Sequence, residues 1–320
     1  MSLKIRLLLF YLNYIAPKNP YSQLSPQEVR EMNAEELNKL GHIIDDDAID
    51  MHRVYDREIP VRDGASIPIR IYKPSQSRNL PMIVFYHGGG FVSRSIDSHD
   101  KVCRRIAKLN EAMLVSVGYR LAPEFKFPTP VYDCYDATSW VAEQAHQLGG
   151  DASRLVVMGD SAGGNLATVI SILSRKLNGP KIKYQVLIYP TTDARLNHPS
   201  IKKYGKGYLL TKDMIDWFVN HYKRTEEDRL DPMMSPLLET DLSNLPPSFI
   251  STAQYDPLKD EGAAYAQRLL EAGNEVIYKE YPGVIHGFIN MPKMTKQTLY
   301  LHEDIKQTLE EVFAEKSLIS

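Results

Sequence analysis

The chain is poor in the residues that mark several large classes of protein. Only two cysteines, Cys103 and Cys134, occur in 320 residues. That is too few for a disulfide framework, and no C-x-x-C pair exists to hold zinc or to cycle redox states. Both lie in segments of helical pattern, where small buried apolar residues are expected rather than a bridge. A reducing, cytoplasmic setting is the corresponding expectation. Charge of one sign is not in excess, since 38 Lys and Arg against 40 Asp and Glu leave a formal net charge of −2. Such a chain has no basic field with which to gather nucleic acid. H-E-x-x-H and the P-loop Gly-Lys-Ser/Thr are missing, and G-x-G-x-x-G fails because Ser93 occupies its last position. No metal and no other cofactor are therefore expected.

Long apolar runs are also missing. Lys4 and Arg6 precede a short one, Leu7 to Leu12, which Asn13 interrupts. It falls far short of the ~20 residues that a spanning helix needs. Tyr14-Ile15-Ala16-Pro17 is not a small-x-small cleavage site, so a signal peptide is not expected. An amphipathic helix lying on the protein or on a lipid surface is expected instead.

What is present is an alternation. Short β-type runs occupy 54–61, 67–72, 82–86, 112–117, 155–158, 186–189, 249–253 and 275–281. From the third run onward they are separated by helical stretches near 98–110, 130–147, 162–177, 260–272 and 297–316. Apolar strands spaced by helices imply an α/β fold with a mostly parallel sheet of about eight strands, covered on both faces. Residues 1–50 read as helical and polar, with Ser25-Pro26-Gln27-Glu28 as a capped helix start. Residues 193–245 break the alternation as a polar, proline-containing excursion with one helix capped at Thr211. These two segments are expected to form a lid.

In an open parallel sheet, ligands bind at the carboxyl ends of the strands. The strand runs here lead into His87-Gly88-Gly89-Gly90, then Gly159-Asp160-Ser161-Ala162-Gly163-Gly164, then Asp256, then His286. The second string fits G-x-S-x-G. By chance alone about one chain in ten of this length would contain that pattern. The same string also suits a tight turn with a capping serine, so its context decides. It comes after an apolar run and opens a helix, as a strand–turn–helix nucleophile elbow requires.

The His-Gly-Gly-Gly string is far rarer. Its glycines let bare backbone N–H groups approach a substrate carbonyl. Gly88 and Gly89 are the expected donors, with the N–H of Ala162 as the third. A serine nucleophile needs a base and an orienting carboxylate. Of nine histidines, His286 is best placed, in a loop after the last strand. Asp256 is preferred over Asp260 because it directly follows a strand, whereas Asp260 begins a helix and suits its dipole.

In these strings the chain resembles the hormone-sensitive-lipase-like branch of the α/β-hydrolases, the bacterial family IV carboxylesterases. The matching strings are His87 to Gly90, Gly118-Tyr119-Arg120-Leu121-Ala122-Pro123-Glu124, Gly159 to Gly164, Asp256-Pro257-Leu258-Lys259-Asp260-Glu261-Gly262, and His286-Gly287-Phe288. They span about residues 50–290 in consistent order. Phe125 departs from the polar residue common there, and no catalytic position is altered.

The resemblance implies an α/β-hydrolase fold with a helical cap built from residues 1–50 and 193–245. The core would then be residues 51–192 and 246–320. It also implies hydrolysis of short- to medium-chain esters through an acyl-enzyme, with a small-molecule ester as partner. Homodimerisation through the last strand and its helix is common in that family. Amide or formamide cleavage, an interfacial lipase and a non-catalytic ligand receptor are the competing readings. Phe91, Tyr208, Leu209 and Trp217 are candidates to line the pocket or simply to pack the cap.

Overall fold

Runs of β-branched and apolar residues bury both faces of a strand only when helices cover the sheet on each side. The computed structural model, which describes residues 1–16 and 20–314, has that arrangement. Helix α1 (Leu3–Phe10) continues into a π-helical turn over Tyr11–Ile15. Helix α2 (Pro26–Ile44) begins at a capping box in which the Ser25 and Glu28 side chains each accept the other residue's backbone N–H. Next comes a hairpin, β1 (Arg53–Pro60) and β2 (Ser66–Lys73). Strands and helices then alternate as β3 (Leu80–Tyr86), α3 (Asp100–Leu109), β4 (Met113–Val117), α4 (Thr129–Leu148), β5 (Gly150–Asp160), α5 (Ala162–Lys176) and β6 (Tyr184–Ile188). The excursion contains α6 (Pro199–Tyr204) and α7 (Lys212–Tyr222). The chain ends with β7 (Ser248–Tyr255), α8 (Lys259–Glu271), β8 (Val276–Ile285) and α9 (Gln297–Ala314). Residues 315 and 316 of the expected last helix lie outside the described residues.

The eight strands form one sheet in the order β1-β2-β4-β3-β5-β6-β7-β8. Only β1 with β2 and β2 with β4 pair antiparallel; every pair from β4 to β8 is parallel. Strand β3 lies between β4 on one side and β5 on the other, so successive connections leave it in opposite directions. That is a topological switch point, and a crevice opens there at the carboxyl ends.

Side chains alternate between the two faces with the period of the pleat. Met82, Val84, Leu155 and Val157 join the cluster under α4, α5 and α8. Ile83, Phe85, Val156 and Met158 join the opposite cluster, under α1, α3 and α9. Each fully buried aliphatic residue contributes about 1.5–3 kcal/mol, so these paired layers hold the strand ends rigidly in register.

The two segments outside the α/β alternation lie against each other. Trp217 of α7 donates its indole N–H to the carbonyl of Leu24 at 3.2 Å, and its ring meets Tyr21 edge-on. Asn13 donates to the carbonyl of Gly207 at 3.1 Å. The excursion is not uniform, however. Leu196, Ile201, Leu210 and Ile215 form a small cluster with Leu258, whereas Met234, Leu237, Leu242 and Leu245, like Trp217 and Tyr222, pack into the main core. Helix α2 is fastened to the core through Arg30. Its guanidinium donates to the carbonyls of Val92 and Ala122, both at 2.8 Å, and to both oxygens of Glu124. Arg30→Met should weaken this docking by roughly 1–3 kcal/mol, since charge-assisted bonds to otherwise unpaired carbonyls are lost. Limited proteolysis should then cut near α2 at denaturant concentrations that leave the sheet intact. Unchanged cleavage in that region would show that the arginine is not the fastening.

Candidate active site

Four strands end one residue before a group capable of chemistry or of holding it. Strand β3 leads into His87, β5 ends beside Ser161, β7 precedes Asp256 and β8 precedes His286. Parallel pairing in register brings these four ends to one rim of the sheet.

Ser161 turns the chain from β5 into α5 with φ 57° and ψ −118°. A non-glycine residue held there stores about 1–3 kcal/mol of strain. Neighbouring backbone holds it in place. Ser161 donates its N–H to Ile188 O at 2.9 Å, and its carbonyl accepts from Asn165 N at 3.0 Å and Thr191 N at 3.3 Å. The turn also needs bare backbone around it. A Cβ on Gly163 would lie 1.9 Å from the carbonyl oxygen of Tyr86, at the end of β3.

His286 Nε2 lies 2.9 Å from Ser161 Oγ, and His286 Nδ1 lies 2.7 Å from Asp256 Oδ2. The carboxylate accepts, so Nδ1 carries the proton and Nε2 turns its lone pair to the hydroxyl. Asp256 is fully buried, and its other oxygen accepts from Leu258 N at 2.8 Å, which fixes its orientation. The Tyr189 ring packs against the imidazole, with centroids 4.7 Å apart. Asp260 faces elsewhere and accepts from the N–H of Ser200 at 2.8 Å.

The glycine loop departs from expectation at one residue. Gly88 directs its N–H to Asp160 Oδ1 at 2.9 Å and is absent from the cavity wall, so it is not a free donor. Gly89, Gly90 and Ala162 do line the cavity, and among the described residues no protein acceptor takes their N–H groups. Sequence reading included Gly88 because it missed the carboxylate beneath the loop.

That carboxylate sits in a buried cluster. His99 Nε2 lies 3.1 Å from Asp160 Oδ1. Burial alone would raise the Asp160 carboxyl, but His99 beside it and the Gly88 N–H outweigh burial and hold it below the usual range. Burial, with His99 adding to it, pushes His87 down to about 3, so His87 is neutral. Its Nδ1 donates to Gly88 O at 2.7 Å, and Tyr119 Oη donates to His87 O at 2.7 Å.

Above the rim lies a cavity of 290 Å³. Its floor is Ser161, His286 and the glycine loop; its walls include Leu8 and Leu12 from the first segment and Leu209, Met214 and Phe218 from the excursion. Of the four lining candidates, Phe91 and Leu209 do face it. Trp217 does not; its indole N–H needs an acceptor and finds one at the Leu24 carbonyl. Tyr208 stacks flat on Tyr255, centroids 5.3 Å apart. Met214 and Phe218 were missed although their i, i+4 spacing places them on one helix face. Among the described residues, no cluster of His, Cys, Asp or Glu is arranged to hold a metal ion.

Comparison with known proteins gives a consistent picture. The family model described as alpha/beta hydrolase fold, Abhydrolase_3, matches residues 83–290. The chain is 42% identical over 250 residues to an ethyl acetate hydrolase of Pseudomonas putida, covering 76% of this chain and 78% of that protein. It is 40% identical over 243 residues to an arylesterase of Saccharolobus solfataricus, covering 76% and 79%. The solved structure of a hyperthermophilic esterase from the archaeon Pyrobaculum calidifontis superposes with a TM-score of 0.88 at 41% identity, over 98% of this chain and 97% of that one.

The loop behind Ser161 depends on a second buried acid. Glu261 Oε1 accepts from Thr192 N at 2.7 Å and Asp193 N at 3.3 Å, while Oε2 has no partner. Burial, helped by the charge of Asp193, pushes its carboxyl up to about 8 against the Thr192 hydrogen bond. Its ordinary value is 4.5, so between about 4.5 and 8 the folded chain keeps a proton that the unfolded chain releases. Stability should therefore fall as pH rises through that window, by a few kcal/mol. Glu261→Gln, which mimics the protonated acid, should flatten this slope in denaturant titrations at pH 5.5 and 8.5. A slope unchanged in the variant would assign the effect to other groups.

Proposed function

The chain belongs to the Abhydrolase_3 family of the alpha/beta hydrolase fold, whose hormone-sensitive-lipase-like members are carboxylesterases, and from that premise we propose how its residues divide the work. The protein is a carboxylic ester hydrolase acting through a serine-bound acyl intermediate. Ser161 is the nucleophile, His286 its base and Asp256 the carboxylate that holds the imidazole tautomer. The observation that carries this assignment is the unbroken row of hydrogen bonds, 2.9 Å from hydroxyl to imidazole and 2.7 Å from imidazole to carboxylate.

His286 takes the hydroxyl proton as Ser161 Oγ attacks the ester carbonyl. The charge that develops on the carbonyl oxygen is met by the N–H groups of Gly89, Gly90 and Ala162. Each such donor contributes roughly 2.7–4 kcal/mol at the transition state. His286 then gives its proton to the departing alkoxide, and water repeats the sequence on the acyl-enzyme. Gly90 replaces Gly88 in this assignment because the Gly88 N–H is already committed to Asp160. A non-catalytic receptor is disfavoured by the intact row. The 290 Å³ cavity is at the small end for ligand pockets and supports short- to medium-chain acyl groups.

The cap belongs to the same proposal, with residues 1–50 and 193–245 as its two parts on a core of 51–192 and 246–320. Residues at the end of the excursion bridge to the core. A reducing, cytoplasmic setting goes with a chain that has only two cysteines, Cys103 and Cys134, and uses neither in a bridge. Pairing of two copies through β8, the outer strand, is supported by its exposed Ile277 and Tyr278. Ile277→Lys should then shift sedimentation toward monomer; a native chain that already sediments as monomer would end that part.

Ser161→Ala should lower kcat/KM on a short-chain p-nitrophenyl ester by roughly 10⁵-fold or more while leaving the thermal transition in place. A variant that retains activity would refute the assignment. A matched anilide should react far more slowly than the ester; equal rates would make the protein an amidase as much as an esterase.

A further inference from the structure

Helix α1 and the turn after it have apolar residues on two opposite sides. Ile5 and Leu9 are buried in the core, and Leu8 and Leu12 line the cavity above Ser161. On the other side Leu3, Leu7, Phe10 and Tyr14 are 69%, 59%, 55% and 76% exposed. Their spacing, i, i+4, i+7 and i+11, makes one continuous stripe along the helix. An unbroken exposed apolar stripe on a folded protein marks a contact surface. Exposed Lys4 and Arg6 stand on either flank of it, and residues 3–15 contain no acid.

We propose that this stripe docks the protein on an anionic lipid surface, with α1 lying in the plane of the interface. The eight-residue helix is too short to enter more deeply, and among the described residues no helix is long and apolar enough to cross a membrane. Charge decides between lipid and a second copy of the chain. Two such stripes packed together would bring Lys4 and Arg6 of both copies close, with no carboxylate on either segment to pair with them. A lipid surface carrying phosphate groups supplies the missing negative charge, which Arg6 can reach while the stripe is immersed, and which Lys4 can reach on releasing the Lys293 carbonyl that it donates to at 2.7 Å. Docking also has a consequence for the reaction. The helix that touches lipid on one side forms the cavity wall on the other, so an ester held at the interface has a short path past Leu8 and Leu12 to Ser161. This delivery step rests on the esterase reading; the docking itself does not.

The test uses the full chain in flotation with unilamellar vesicles, either of phosphatidylcholine alone or of phosphatidylcholine with phosphatidylglycerol. Binding to the anionic vesicles should be roughly 5–30-fold stronger than to the neutral ones, as expected for one cation near the surface, or two once Lys4 releases Lys293, and should weaken with salt. The double variant Leu7→Glu with Phe10→Glu should reduce binding at least ~100-fold, since two apolar side chains no longer enter the interface. Arg6→Glu, which leaves the apolar stripe untouched, should reduce the anionic preference even if the double variant folds poorly. Three results would overturn the proposal. The native chain fails to bind anionic vesicles, or binds them equally after these substitutions. Alternatively, sedimentation shows a dimer that the double variant dissociates while no vesicle binding occurs, which makes the occupant a second copy. Hydrolysis of a soluble short-chain ester is assayed separately, and its absence would count against the esterase reading without altering the binding result.

Discussion

The contact between the first turn of α5 and the end of β3 governs the rest of the structure. Gly163 approaches the Tyr86 carbonyl so closely that no side chain fits between them. This approach forces the sharp turn at Ser161, whose φ of 57° the surrounding hydrogen bonds then maintain. A strained residue persists only when its neighbours over-determine it. Here they do so because β3, β5 and β6 are packed on both faces and cannot move apart. The hydroxyl is thus presented above the sheet at a fixed height, at the switch point where the crevice opens.

Beneath the glycine loop, the buried group of His87, His99, Asp160 and Tyr119 has a supporting role. Asp160 belongs to the same turn as Ser161, and by accepting the Gly88 N–H it ties the glycine loop to the elbow. Elbow and glycine loop are therefore tied together through one residue. A neutral His87 fits this task, because its single Nδ1 proton is spent on the Gly88 carbonyl. The two segments outside the α/β alternation contribute differently. They wall the cavity with apolar side chains and are joined to each other by the Trp217 and Asn13 hydrogen bonds.

Much of this was legible in the chain itself. The eight apolar runs correspond to the eight strands, and residues immediately after four of them converge on one rim. Strand ends are readable because apolar runs stop where glycine, aspartate or histidine begins. The reading of loop direction was less successful. Gly88, Gly89 and Gly90 are chemically identical, and which N–H groups stay free depends on where the Asp160 side chain lies. Trp217 and Tyr208 were plausible wall residues by type, yet one satisfies its N–H on another segment and the other stacks on Tyr255.

The sequence by itself determined the alternation of strands and helices, the glycines that permit the elbow, and the chemical kinds of group at the strand ends. These follow from local chemistry, because periodicity, turn-forming residues and nucleophile type act over a few neighbouring positions. Only the tertiary structure decided that an imidazole and a hydroxyl 125 residues apart come within 2.9 Å. It also decided which amides face the cavity and that α1 has one apolar side inward and another outward. Those outcomes depend on how layers pack and where buried polar groups find partners. Both are properties of side chains meeting across the fold, which no stretch of the chain carries alone.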